Sequence, residues 1–175
     1  DGPHSAELLS GAAGPFSHEA RIVRLKMKDV SSAAAYENRP GGEPDLFLDT
    51  GTRHAVRFVD NVNDIDVVGE GRVLRYSPDF APVGANVNFV QVNADGSITV
   101  RTYEKGVEDE TLACGTGIVA SAMATWIVHK RHEQGKIVSI PVHARISDLS
   151  VSFRPSDVAC GSSAPASFSA SDVYL

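Results

Sequence analysis

The 175-residue chain has two cysteines, one tryptophan, no basic run and no long hydrophobic run. Cys114 and Cys160 lack C-x-x-C spacing, so neither a zinc ribbon nor a disulfide framework is expected, and a reducing cytoplasm fits. With 22 acidic against 16 basic residues the net charge is −6, which argues against a nucleic-acid partner. Lys130 and Arg131 form a local basic pair at a helix end, where cations suit the dipole. The longest apolar stretch, 118–128, is too short to cross a bilayer, so no membrane partner is expected. Asp1-Gly2-Pro3-His4 shows no charged region followed by an apolar one, so it is not read as a signal peptide. It also lacks an initiating Met, and the chain is expected to be cut from something longer. What is present, 42% hydrophobic and 22% charged residues, suits one sizeable core.

Residues 1–20 read as a lead-in. Residues 21–28 alternate Val23, Leu25 and Met27 with Arg24, Lys26 and Lys28, the pattern of a half-buried strand. A loop is expected over 31–44, then short strands at 46–48 and 55–59 around a turn at Gly51. Asp64 is a candidate cap for a weak helix running toward Tyr76. Strands over 87–92 and 98–103 flank Asn93-Ala94-Asp95-Gly96, a hairpin signal. Two more strands are expected at 137–142 and 145–153, a Ser/Ala-rich loop over 154–172, and the start of another strand at 173–175. Between them, Ile118 to Val128 reads as a helix that is apolar all round, ending near Gly135. Such a helix must be buried on all sides. The natural solution is an α+β fold: a strongly curved, barrel-like mixed sheet around one central apolar helix. One unit covers 1–175, with its core over 21–153.

The chemistry centres on Glu110-Thr111-Leu112-Ala113-Cys114-Gly115-Thr116-Gly117. A thiol placed just before a helix faces the positive end of the macrodipole and unpaired N–H groups, which favour the thiolate. The same N–H groups can hold a carboxylate. A buried cysteine can also be a small hydrophobe. Gly115 and Gly117 favour the functional reading, because they allow a ligand to approach the backbone closely. His54 is open between an acid/base group, a substrate contact and a structural histidine. Asn86 and Asn88 share one strand face, which either binds substrate or meets solvent. Glu104 and Lys105 are either a solvated loop or part of the site. Cys160, in Ala159-Cys160-Gly161-Ser162, has no apolar helix behind it and reads as an ordinary loop thiol.

Tyr103-Glu104-Lys105-Gly106 and the cysteine motif together resemble the C-terminal half of the diaminopimelate epimerases. Gly84-Ala85-Asn86-Val87-Asn88-Phe89-Val90 is similar to that family's Asn-containing strand. Thr50-Gly51-Thr52-Arg53-His54 is similar to its Gly-Asn-Pro-His segment, and Asp1-Gly2-Pro3-His4 to the junction after its first domain. The resemblance implies a cofactor-independent isomerase with no pyridoxal phosphate and no metal. It interconverts LL- and meso-diaminopimelate in lysine biosynthesis through two cysteines on opposite faces of the α-carbon. Carried over by position, Cys114 is one base, and Gly115 and Thr116 offer N–H groups to the α-carboxylate. Asn86, Glu104 and Lys105 bind the distal groups; Thr52 stands at the family's Asn position and His54 at its His.

Thr52, Arg53 and Lys105 depart from the usual Asn, Pro and Arg, and Lys gives no bidentate fork to a carboxylate. The resemblance places the other cysteine in an N-terminal lobe that this chain is expected to lack. The expected partners are therefore diaminopimelate and that missing lobe, with a homodimer as a further option. Three alternatives remain: a proline racemase-like or phenazine-biosynthesis-type isomerase, a non-catalytic binding or assembly lobe, and a Cys–His hydrolase using Cys114 and His54.

Overall fold

The computed structural model describes residues 5–9, 22–30, 33–36, 45–129, 136–156 and 169–175. Cys160, Lys130 and Arg131 lie outside the described residues, as does most of the expected 154–172 loop. In chain order the elements are β1 (Ala6–Leu9), β2 (Ile22–Leu25), β3 (Ala33–Tyr36), β4 (Asp45–Asp49) and β5 (Arg53–Phe58). Then follow α1 (Val67–Arg75), β6 (Asn86–Val92), β7 (Ile98–Glu104), β8 (Asp109–Thr111) and α2 (Gly115–His129). The last are β9 (Val138–His143), β10 (Asp148–Ser156) and β11 (Ser169–Tyr174).

Strands β3 to β11 make one sheet in the order β11-β10-β9-β7-β6-β5-β4-β3, with β8 paired to β7. The β5–β6 and β7–β9 pairs are parallel and the other pairs antiparallel, so the sheet is mixed. Its two ends meet one stretch of chain. Leu25, Met27 and Val30 donate backbone bonds to Leu175, Val173 and Ala170, while β3 pairs with β4. That bridging curls the sheet into a barrel and covers the edge that β11 would otherwise expose.

Helix α2 fills the barrel. Ile118, Val119, Ala120, Ala122, Met123, Ala124, Trp126 and Ile127 are buried among Leu46, Leu48, Val56, Phe58, Val90, Ile98, Val100, Ile140, Val151 and Phe153. Trp126 meets Phe153 edge-on, with ring centroids 6.4 Å apart. Its two buried hydroxyls are satisfied within the helix: Ser121 donates to the Gly117 carbonyl at 2.7 Å, and Thr125 to that of Ser121 at 2.8 Å. On the outer face, α1 packs Val67 and Leu74 over Val87, Phe89 and Tyr103. The curled mixed sheet around a central helix is the architecture expected from the apolar segment. No helix among the described residues is long and apolar enough to cross a membrane.

Several local expectations change. The weak helix is capped by Asp66, whose Oδ1 accepts the Gly69 N–H at 3.0 Å; Asp64 ends a preceding 3-10 turn, Val62–Asp64. Residues 6–9 of the expected lead-in form β1, paired with β2. Val23, in the part of β2 that pairs with Leu8 of β1, is 46% exposed rather than half-buried against the core. Part of the expected 31–44 loop is β3. Both ends of the expected 154–172 loop are strand: β10 runs to Ser156 and β11 starts at Ser169, with Ala170 and Val173 buried. Small polar residues hide such strands, since their pairing is set by long-range backbone bonds rather than alternation.

One ion pair locks β4 to β5. Asp45, with a fully buried side chain, accepts from Arg57 Nε at 3.1 and 3.0 Å and from Nη2 at 2.6 Å. Arg57→Ala leaves that carboxylate buried without its guanidinium and is expected to cost about 3–5 kcal/mol. Urea denaturation of the variant checks this; a loss below about 1 kcal/mol would show that water replaces the guanidinium there.

Candidate active site

Inward-facing residues change character along three neighbouring strands. On β5 the order is His54, Val56, Phe58; on β6 it is Asn86, Asn88, Val90; on β7, read backward, it is Glu104, Thr102, Val100. The register places His54 beside Asn86, Asn88 beside Thr102, and Val90 beside Val100. The apolar ends surround the body of α2. The polar ends gather where α2 begins.

Cys114 immediately precedes α2, and its carbonyl accepts the Ile118 N–H at 2.8 Å. The N–H groups of Gly115, Thr116 and Gly117 come before that first helical bond and so lack an intrahelical acceptor. Thr50, on the β4–β5 turn, donates its hydroxyl to the Thr116 carbonyl at 3.0 Å and ties the turn to the helix start. The turn itself passes through Gly51 at φ 108°.

Behind the helix start runs a fully assigned polar chain. Asn88 Nδ2 donates to the Ala55 carbonyl at 3.2 Å, and Asn88 Oδ1 accepts from the Thr102 hydroxyl at 3.0 Å. That orientation turns Nδ2 toward His54 Nδ1, 3.1 Å away, so the ring nitrogen accepts and the ring proton sits on Nε2. Nε2 then meets Thr52 Oγ1 at 2.8 Å and Thr116 Oγ1 at 3.0 Å, and those two hydroxyls lie 3.0 Å apart. Thr116 Oγ1 in turn lies 3.6 Å from Cys114 Sγ. Burial pushes the His54 imidazole down to about 4, against a smaller opposing pull from Asp49. His54 is therefore a neutral donor that meets both threonine hydroxyls, of which that of Thr116 faces the thiol.

In front lies an open cleft of about 400 Å³, lined by Asp49, Gly51, Thr52, Arg53, Val83, Asn86, Glu104, Lys105, Cys114 and Thr116. It unites Cys114, Thr52, Asn86, Glu104, Lys105 and Thr116 from four separate segments. Cys114 is partly exposed and in no disulfide. Asn86 shapes the wall: its amide donates to the Arg53 carbonyl at 3.2 Å and its Oδ1 accepts the Lys105 N–H at 2.8 Å. Among the described residues no three His, Cys, Asp or Glu side chains group to hold a metal ion.

Of the residues singled out in the sequence, Gly115, His54 and Asn88 fall outside the cleft lining. His54 is fully buried, and its ring bonds to the side chains of Thr52, Thr116 and Asn88. Asn88 is equally buried and serves His54, so its side chain, unlike that of Asn86 on the same strand face, meets neither solvent nor cleft. The glycines also have internal reasons. A Cβ on Gly117 would collide with Asn88 Oδ1 and lie 3.2 Å from His54 Cε1, and one on Gly115 would lie 3.2 Å from Leu175. The helix start must approach its own sheet closely, whatever a ligand requires. Asp49, Arg53 and Val83 also line the cleft without having been singled out as contacts, and Glu110 braces the motif from outside. Glu110 takes Arg101 in a fork at 2.7 and 2.7 Å, with Arg145 at 3.4 Å. A Glu nine residues after an Arg on a hairpin was the available signal.

The family model described as diaminopimelate epimerase matches residues 46–152, which hold every cleft-lining residue. The chain belongs to the diaminopimelate epimerase family. A diaminopimelate epimerase of Flavobacterium psychrophilum is 38% identical over 136 residues, covering 78% of this chain and 49% of the relative. That of Aquifex aeolicus is 48% identical over 144 residues, covering 67% of this chain and 52% of the relative. This chain thus spans about half the length of these family members. In fold it is similar to a hydroxyproline epimerase from Agrobacterium vitis, crystallised with trans-4-hydroxy-L-proline. The TM-score is 0.55 at 15% identity, covering 87% of this chain and 48% of the other.

The buried neutral histidine carries a pH signature. An unfolded His takes up a proton near 6.5, whereas His54 resists until about 4. Stability from this group is complete above 6.5 and falls as pH drops toward 4, by roughly 3 kcal/mol. NMR titration of His54 and denaturation midpoints between pH 7 and 4 check this; a His54 titration near 6.5 would refute it.

Proposed function

We propose that this chain is one catalytic lobe, over 1–175, of a cofactor-independent amino-acid epimerase that interconverts LL- and meso-diaminopimelate. The observation that carries the reading is the convergence, in one cleft, of a partly exposed thiol at a helix start with Asn86, Glu104 and Lys105. In this reading the substrate α-carboxylate sits against the N–H groups of Gly115 and Thr116, within reach of the Thr116 hydroxyl. Cys114 Sγ, as thiolate, removes the α-proton from one face, or as thiol returns one to that face. The Thr116 hydroxyl, oriented by His54, donates toward the sulfur. Without an electron sink, charge developing at the α-carbon is met by helix-start dipoles.

Inversion also needs an acid on the far face. A second lobe, supplying the other cysteine, meets that need and accounts for the doubled length of the relatives. The distal amino and carboxylate groups of the substrate pair with Glu104 and Lys105, and Thr52 and Asn86 complete the wall. No metal or pyridoxal phosphate takes part, and lysine biosynthesis in the cytoplasm is the setting. His54 meets Thr52, Thr116 and Asn88, which favours a positioning role over a Cys–His nucleophilic pair.

The test is steady-state kinetics of the native protein containing this chain. Cys114→Ala is expected to lower kcat for LL-diaminopimelate by about 10²–10⁴. Lys105→Ala should instead raise KM, leaving kcat nearly unchanged, because it acts far from the α-carbon. The 175-residue lobe alone should not epimerise. Ready turnover by the lobe, or preference for proline, would overturn the reading.

A further inference from the structure

Glu108 lies outside the cleft, and the proposed chemistry does not use it. Yet its carboxylate collects four donors. Oε1 accepts from Arg75 Nε at 2.7 Å and the Gly106 N–H at 3.0 Å, and Oε2 from the Tyr103 and Tyr76 hydroxyls at 3.0 and 3.1 Å. These bonds, the Gly106 amide first and Arg75 next, hold the carboxyl at about 2, well below the usual carboxylate range. To reach them Glu108 takes a left-handed φ of 61°, a region that Glu rarely occupies.

What the carboxylate holds is a turn. The Glu108 N–H donates to the Glu104 carbonyl at 2.8 Å, and Gly106 supplies a φ of 93° between them. Glu104 and Lys105, both lining the cleft, open this turn. The Lys105 N–H reaches across to Asn86 Oδ1. Arg75 adds a second link. Its guanidinium fills the space that Gly84 leaves empty, and a Cβ there would collide with it. Gly84 lies between the lining residues Val83 and Asn86. The Arg75–Glu108 pair, coming from behind, thus ties together the two segments that wall this part of the cleft.

We infer that Glu108, through Arg75, is a positioning residue for the distal end of the substrate. It fixes the turn that presents Glu104 and Lys105, and it sets affinity for the second charged group without touching proton transfer at Cys114. The inference rests on the reading of this cleft as a diaminopimelate site.

The test uses the native protein containing this chain. Glu108→Gln keeps the shape of the side chain and removes its charge. KM for diaminopimelate should rise about tenfold or more, with kcat within about twofold of the parent. Alkylation of Cys114 by iodoacetamide should keep its rate. Amide exchange followed by mass spectrometry should quicken over 104–108 and not over 114–117. Tyr76→Phe removes one donor from an exposed side chain, and should raise KM by about threefold even if Glu108→Gln fails to fold. Unchanged KM in the folded variants, or a fall in kcat at constant KM, overturns the inference. If the parent protein does not turn over diaminopimelate, the proposed function fails. The positioning role is then decided by exchange alone: quickening confined to 104–108 supports it, and unaltered exchange there overturns it.

Discussion

Everything in this fold follows from having to bury α2 on all sides. A helix of 15 residues is about 22 Å long, and this one presents apolar atoms around its whole circumference. One flat sheet could cover only a stripe of it. The sheet therefore curls until the stretch after β2 joins its two ends, and the inward positions of β4, β5, β6, β7, β9, β10 and β11 meet the helix. Such burial is tolerable because the helix satisfies its own backbone, and even Ser121 and Thr125 return their hydroxyls to it. The exceptions are its ends, where backbone groups must find partners elsewhere.

The site is the consequence of that exception. Around the body of α2 the sheet offers Val, Ile, Leu and Phe; around its first turn it offers His, Asn, Thr and Glu. The change happens within single strands, from Val56 to His54, Val90 to Asn88 and Val100 to Thr102. Polar groups buried there cannot be left unpaired, and they are not: Thr102, Asn88, His54, Thr52 and Thr116 bond in sequence. A protonated imidazole would break this order, because Nδ1 could no longer accept from Asn88. Desolvation and hydrogen bonding thus agree on one tautomer of one neutral ring.

The cleft is held from two sides. Its thiol end is fixed inside the barrel by the chain through His54 and by Thr50, which binds the turn to the helix. Its other part is fixed outside the barrel, in the layer between α1 and the sheet, by Arg75 and Glu108. The two supports share no side chain, and Asn86 joins them by bonding the Arg53 carbonyl and the Lys105 N–H.

Much of this was legible in the residues alone. An apolar helix preceded by a Gly-flanked cysteine declares both the core and the place where backbone donors are unpaired, and so the candidacy of Cys114 and the curled sheet follow from local pattern, while Thr116 comes from the family resemblance. Glu104 and Lys105 were readable because they end a clear strand just before the cysteine turn. Asn86 and Asn88 mark the limit. They are identical in pattern, share one strand face and are both buried, yet Asn86 walls the cleft while Asn88 serves His54. Periodicity assigns a side chain to a face, but only the register against β5 and β7 decides what it meets there. Gly117 is the same case, since its missing Cβ is explained by Asn88 and His54, which lie 29 and 63 residues earlier in the chain. So too are β3 and β11, whose mostly small or polar residues carry no clear alternation and whose pairing is set by backbone partners in other segments. The local chain determined which groups are polar, apolar or reactive; the closing of the sheet around α2 decided which of them touch, because contact across the barrel depends on register between segments that no local pattern records.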